Sequence, residues 1–66
     1  MYPRIRELRE DKDLTQALLA EYLHCDQSLY SKYERGQREI PVEAVIALAR
    51  FYQVSTDYIL GLTEQP

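Results

Sequence analysis

The side chains with the most chemistry crowd into one short stretch: His24, Cys25, Asp26, Gln27 and Ser28, followed by Lys32, Arg35 and Arg38. A metal set is the first chemistry to weigh for His24-Cys25-Asp26. Zinc needs four ligands, and the chain holds a single His and a single Cys. Cys25 therefore reads as a small buried hydrophobe in a turn. His24, Asp26 and Ser28 are hydrolase residue types, yet they fall across one tight turn without a nucleophile elbow or an oxyanion loop. No enzyme is expected, and no cofactor or metal is implied. What remains is a series of Gln, Ser, Lys and Arg side chains, whose natural targets are base edges and phosphates.

Those residues need elements to hold them. Helical spacing and end signals place five segments and no strand. The first spans Pro3–Lys12, with Pro3 suited to a first turn, Ile5 and Leu8 inward behind Tyr2, and Arg4, Arg6, Glu7, Arg9 and Glu10 mostly toward solvent. Asp13 and Leu14 connect. Thr15 caps a second segment, Gln16–Leu23, in which Leu19 and Leu23 share a face and Ala20 is small enough for a close crossing. His24 and Cys25 turn the chain. Asp26 caps the third segment, Gln27–Glu34, with Tyr30 and Tyr33 inward and Gly36 as its stop. After Ile40-Pro41 the fourth segment, Val42–Tyr52, sets Val45, Ile46, Leu48, Ala49 and Tyr52 at apolar spacing. Ser55 caps the fifth, Thr56–Leu60, and Gly61 ends it. Two short helices with a small residue at their crossing, the second opening on polar side chains, form a helix-turn-helix over residues 14–36. Leu19, Ala20, Leu23, Cys25, Tyr30 and Tyr33 are its expected core.

Sixty-six residues make one domain, and a chain this short buries only about 60% of its unfolded surface. An apolar content of 45% suits a folded globule rather than a disordered chain. One cysteine gives no disulfide frame, so packing and self-association must supply stability. No stretch nears the ~20 apolar residues that span a bilayer, and the charged N-terminus has no signal-peptide core, so a cytoplasmic protein is expected. The net charge of −3 weighs against a nucleic-acid partner until it is divided. Residues 1–38 hold seven basic and seven acidic side chains, whereas 39–66 hold Arg50 against Glu39, Glu43, Asp57 and Glu64. Residues 27–38 carry Lys32, Arg35 and Arg38 against Glu34 alone.

The pieces IRELRE at 5–10, LTQ at 14–16, LAEYL at 19–23, SKYERG at 31–36 and VSTDYILGL at 54–62 resemble one family in order and spacing. It is the phage-repressor and Cro type of helix-turn-helix regulator, the xenobiotic-response-element family. The resemblance implies an all-α, five-helix, lambda-repressor-like domain over 1–62, with helices 2 and 3 as the motif and a tail at 63–66. It implies a sequence-specific regulator of transcription, a repressor binding double-stranded DNA at a palindromic operator as a homodimer. By position, Gln27, Ser28, Leu29, Ser31 and Lys32 would meet bases. Thr15, Gln16, Arg9, Arg35, Gln37 and Arg38 would meet phosphates. Arg9 and Glu34 match a pair that links the first helix to the recognition helix. Thr56, Tyr58, Ile59 and Leu62 fall where members form a two-fold contact. Two positions depart from the pattern: His24 stands where the turn usually has Gly, and Asp26 brings a carboxylate to the cap.

Other roles remain open at this point. Small domains of the family also serve as antitoxins or adaptor subunits, and the acidic second half and six tyrosines suit a protein partner. The chain starts with Met and runs into a short polar tail, which reads as a complete small product, although a DNA-binding piece of a longer regulator would look the same.

Overall fold

The computed structural model describes residues 2–66. It has five helices: α1 (Pro3–Asp11), α2 (Gln16–Tyr22), α3 (Gln27–Arg35), α4 (Val42–Tyr52) and α5 (Thr56–Leu60). Three of them, α2, α3 and α5, start on side-chain caps, whereas α1 and α4 begin at Pro3 and just after Pro41 without one. Thr15 Oγ1 accepts from the Leu18 amide at 3.1 Å, Asp26 Oδ1 from Leu29 at 2.7 Å and Ser55 Oγ from Tyr58 at 3.0 Å. Each cap satisfies one of the free amides of a first turn.

All five helices stop by the same device. The amides of Asp13, His24, Gly36, Gln53 and Gly61 donate three residues back, and those of Leu14, Cys25, Gln37, Val54 and Leu62 donate five residues back. This paired pattern needs a left-handed residue at each stop. Gly36 and Gly61 provide it freely; Asp13, His24 and Gln53 adopt it at φ 54°, 58° and 57°. The turn of the helix-turn-helix is thus left-handed despite His24, the kind of side chain that enters this region more readily than most.

The core is Ile5, Leu19, Ala20, Tyr30, Ile40, Val45, Leu48, Ala49, Tyr52 and Ile59. α2 packs on α3, α4 on α5, and α1 touches both α3 and α5. Three sequence expectations change. Leu23, Cys25 and Tyr33 are half-buried neighbours of the core rather than members of it. Ile46 is 40% exposed, because it lies at the edge of the stripe formed by Val45, Leu48, Ala49 and Tyr52. Arg4 is half-buried, turned against α5 instead of solvent.

Candidate nucleic-acid interface

A helix turns about 100° per residue, so the buried Tyr30 and Glu34 fix which way α3 faces. Ser28, Lys32 and Arg35 lie opposite them. Ser31 flanks this stripe on one side and Leu29 on the other; Gln27, seven residues before Glu34, shares its side of the helix and is exposed because it opens the first turn. Gln27, Ser28 and Arg35 are exposed, while Leu29, Ser31 and Lys32 are half-buried. The stripe runs for about 10 Å, from Ser28 to Arg35. Lys32 and Arg35 in the last turn also suit the carbonyl end of the helix. Gln37 and Arg38 follow on the exposed loop. Asp26 is exposed and spent on its cap.

Glu34 is the one carboxylate within α3, and it is 5% exposed. Arg9 of α1 grips it with two parallel bonds, Nε to Oε2 at 2.7 Å and Nη2 to Oε1 at 3.1 Å. Such a fork is both strong and directional. Arg9 Nη1 donates to the Leu14 carbonyl at 3.0 Å, so all three nitrogens are engaged. Gln16 Nε2 of α2 donates to the same Oε1, also at 3.1 Å. One buried carboxylate therefore joins α1, α2 and α3. Burial pushes the Glu34 carboxyl up; Arg9, Tyr30 and Gln16 outweigh it and hold the group below the usual carboxylate range. The Tyr30 hydroxyl is buried beside it, driven far above the phenol range first by burial and then by the carboxylate. The hydroxyl completes no hydrogen bond and acts on the carboxylate as a close neighbour. Tyr52 is pushed up to about 12 by burial and by Glu34.

The charge of the surface changes accordingly. By sequence, Glu34 offsets one of the three cations of 27–38; in the fold its charge is turned inward and neutralised by Arg9. Lys32, Arg35 and Arg38 are left facing outward without a carboxylate from their own segment. Arg35 Nε makes only a long 3.4 Å contact to the Ser31 carbonyl. Gln16 and Arg9 share Glu34 Oε1, and each of the two nitrogens on that oxygen keeps a second N–H. Thr15 is exposed at the start of α2.

The positions expected at a two-fold contact divide. Leu62 is 73% exposed, Thr56 and Tyr58 are half-buried, and Ile59 is buried in the monomer core. The Ile59 side chain is therefore removed from any surface contact, since α5 needs it to hold the short helix down. Two features carried no sequence signal. The Gln16–Glu34 bond spans 18 residues and depends on how α2 meets α3. Tyr22 lies at the surface and stacks obliquely on Phe51 at 4.7 Å, its hydroxyl donating to the Ala47 carbonyl at 3.2 Å.

Capped α2, a left-handed turn and α3 with an outward polar stripe define a helix-turn-helix domain. The chain belongs to the family described as Helix-turn-helix, which it matches over residues 5–59. It is 44% identical over 63 residues to an uncharacterized HTH-type transcriptional regulator, YobD of Bacillus subtilis, covering 96% of this chain and 56% of that protein. It is 38% identical over 61 residues to the HTH-type transcriptional regulator ImmR of the same species, covering 92% and 48%. The chain thus spans about half the length of the curated relatives it matches. The fold matches the P22 c2 repressor solved in complex with a synthetic operator, with a TM-score of 0.76, 33% identity and 86% of each chain covered. The architecture is the all-α, lambda-repressor-like one. No helix among the described residues is long and apolar enough to cross a membrane.

Proposed function

We propose that this chain is the DNA-reading part of a sequence-specific transcriptional regulator of the repressor kind. The observation that carries the reading is the face of α3: its carboxylate is buried, and Gln27, Ser28, Ser31, Lys32 and Arg35 are left on the outside. α3 enters the major groove. Gln27 and Ser28 meet base edges at its start, and Ser31 and Lys32 do so one turn on. Gln pairs bidentately with adenine and Lys donates to guanine. Leu29, on the flank, meets a thymine methyl. Arg35, Gln37 and Arg38 hold phosphates along the loop. Arg9 and Gln16, with their remaining N–H groups, hold phosphate at the meeting of α1 and α2, beside Thr15. These contacts position the domain, while the α3 contacts specify the sequence.

The regulator acts as a homodimer in this reading. Thr56, Tyr58 and Leu62 meet their copies, and the two α3 helices enter successive grooves about 34 Å apart. Repression is then steric, by covering a promoter. The test is fluorescence anisotropy with a randomised duplex pool at two salt concentrations, followed by sequencing of the bound fraction. A palindromic consensus and a steep fall of affinity with salt are expected. A bound fraction no different from the input pool would sink the reading.

The exposed apolar side chains Leu18 and Tyr22 of α2 and Val42 and Ile46 of α4 favour one companion role, contact with a protein partner. Co-purification of a stoichiometric partner that is lost on Tyr22→Ser would support it; a partner-free protein that still selects an operator would not.

A further inference from the structure

Two arginines stand at opposite ends of α1, and each grips a different part of the molecule. Arg9, in the last turn, holds Glu34 of α3 and the Leu14 carbonyl. Arg4, in the first turn, reaches the other way. Its Nη1 donates to the Tyr58 carbonyl at 2.8 Å and to the Thr63 carbonyl, and its guanidinium lies 4.1 Å over the Tyr58 ring. Among the described residues, the bond to Thr63 is the only hydrogen bond that ties residues 63–66 to the rest of the fold. Ile5, next to Arg4 in the first turn, is fully buried, so α1 is packed at its start and latched at both ends.

We propose that Arg4 is a positioning residue for the DNA-facing end, acting through α1, so that a seated tail and a seated Arg9–Glu34–Gln16 group favour each other. The proposal rests on the DNA-binding reading. α1 is nine residues long, about 13 Å, and moves as one body. A shift of its first turn on α5 therefore reaches its last turn. There Arg9 has every nitrogen committed at hydrogen-bond distance, and Gln16 shares an oxygen with it. Directional bonds of this kind do not tolerate sliding as apolar packing does. Linkage is reciprocal: a duplex that fixes Arg9 and Gln16 must also favour the seated state of Arg4.

The experiment uses the full chain and a mixed-sequence DNA duplex too short to seat two copies, at low salt, so that the proposed two-fold contact through Tyr58 and Leu62 does not contribute. Affinity is measured by anisotropy, together with amide exchange at Gly61 and Leu62, whose bonds to Tyr58 and Asp57 close the end of α5. Arg4→Met keeps an apolar stem over the ring and removes the donors; Arg4→Lys restores one charge. In the wild type, duplex binding should slow exchange at both amides. Arg4→Met should bind about fivefold or more weakly, within the usual range of coupling between sites. It should also lose the duplex-dependent protection, and Arg4→Lys should recover part of both. Ile59→Val, a small truncation in the nearby core, lowers the melting temperature and serves as the control, with affinity unchanged well below melting. Wild-type affinity in Arg4→Met, or exchange at Gly61 and Leu62 in the wild type that ignores the duplex, would overturn the coupling while leaving DNA binding intact. A wild type that binds no duplex at any salt concentration would instead remove the DNA-binding reading, and the coupling with it.

Discussion

Helices α3 and α4 are both amphipathic, yet they are held by different physics. α4 buries Val45, Leu48, Ala49 and Tyr52, a face that is almost wholly apolar. α3 buries Tyr30 and Glu34, and its inward side ends in a forked ion pair. Apolar burial is large but non-directional, so a helix held that way is stable without being aimed. A forked, charge-assisted bond adds less energy and fixes orientation within narrow limits. On the proposed reading, the helix that meets a groove at a set angle is the one with directional restraints. The helix that only has to be present is held by contact area.

Two substitutions test this division. Leu48→Ala, at a fully buried position of α4, should cost about 3 kcal/mol of folding stability. If α4 supplies stability and not aim, duplex affinity measured well below melting should be unchanged. Glu34→Gln should cost less, about 2 kcal/mol, because the Arg9 side chain keeps 13% of its exposure and reaches water. Its effect on binding has an informative sign. Removing a negative charge near phosphate alone would raise affinity, whereas loosening Arg9 and Gln16 lowers it. We expect a roughly fivefold loss, about 1 kcal/mol. A gain in affinity would show that Glu34 aims nothing. Acid makes the same cut. The Glu34 carboxyl sits below its ordinary value, so its stabilisation is complete above about pH 4.3 and is lost as pH falls through the folded value. Denaturation followed from pH 6 downward should therefore show a steeper acid loss in the wild type than in Glu34→Gln.

What the sequence discloses divides along local and distant lines. The caps Thr15, Asp26 and Ser55 and the stops Gly36 and Gly61 act on neighbours three to five residues away, so the helix order and bounds were readable to within a residue. Asp13 and Gln53 take the same left-handed stop without glycine; Asp, like His, enters this region more readily than most side chains, but nothing in the type of Gln53 announces it. Helical spacing says which side of α1 Arg4 occupies, but not that Tyr58, 54 residues on, lies there. Five residues of α5 are too few to mark a buried face, which is why Ile59 could be read as surface. The Arg9–Glu34 match rests on resemblance to a family; residue chemistry alone offers Glu34 any of several cations. The same resemblance points Gln16 at phosphate, and its bond to Glu34 depends on the α2–α3 crossing, which no local signal encodes.

Electrostatics gives a smaller test of the same contrast. Arg38 follows α3 and Arg50 stands on α4, and both are exposed. Arg38→Ala should weaken duplex binding uniformly across sequences and lower the slope of log affinity against log salt by about one. Arg50→Ala should leave the slope alone. Equal slopes for the two variants would mean that the phosphate path does not follow the loop after α3.

The smallest expected effect lies at the helix ends, where α3 stops on Gly36 and α4 on Gln53, both left-handed. A side chain pays about 1 kcal/mol or more for that backbone region, and glycine does not. Glycine in turn loses about 0.5–1 kcal/mol of extra chain entropy on folding, so the two terms nearly offset. Gln53→Gly should therefore raise stability by no more than about 0.5 kcal/mol, read by chemical denaturation. Binding should not change, because the end of α4 aims nothing. His24→Gly relieves the same strain inside the helix-turn-helix. There the outcome separates two ideas of the turn. If His24 only tolerates its conformation, stability rises as for Gln53→Gly and affinity is constant. If the imidazole helps set the angle between α2 and α3, stability rises while affinity falls, and the aim of the recognition helix would then depend on the turn as well as on Glu34.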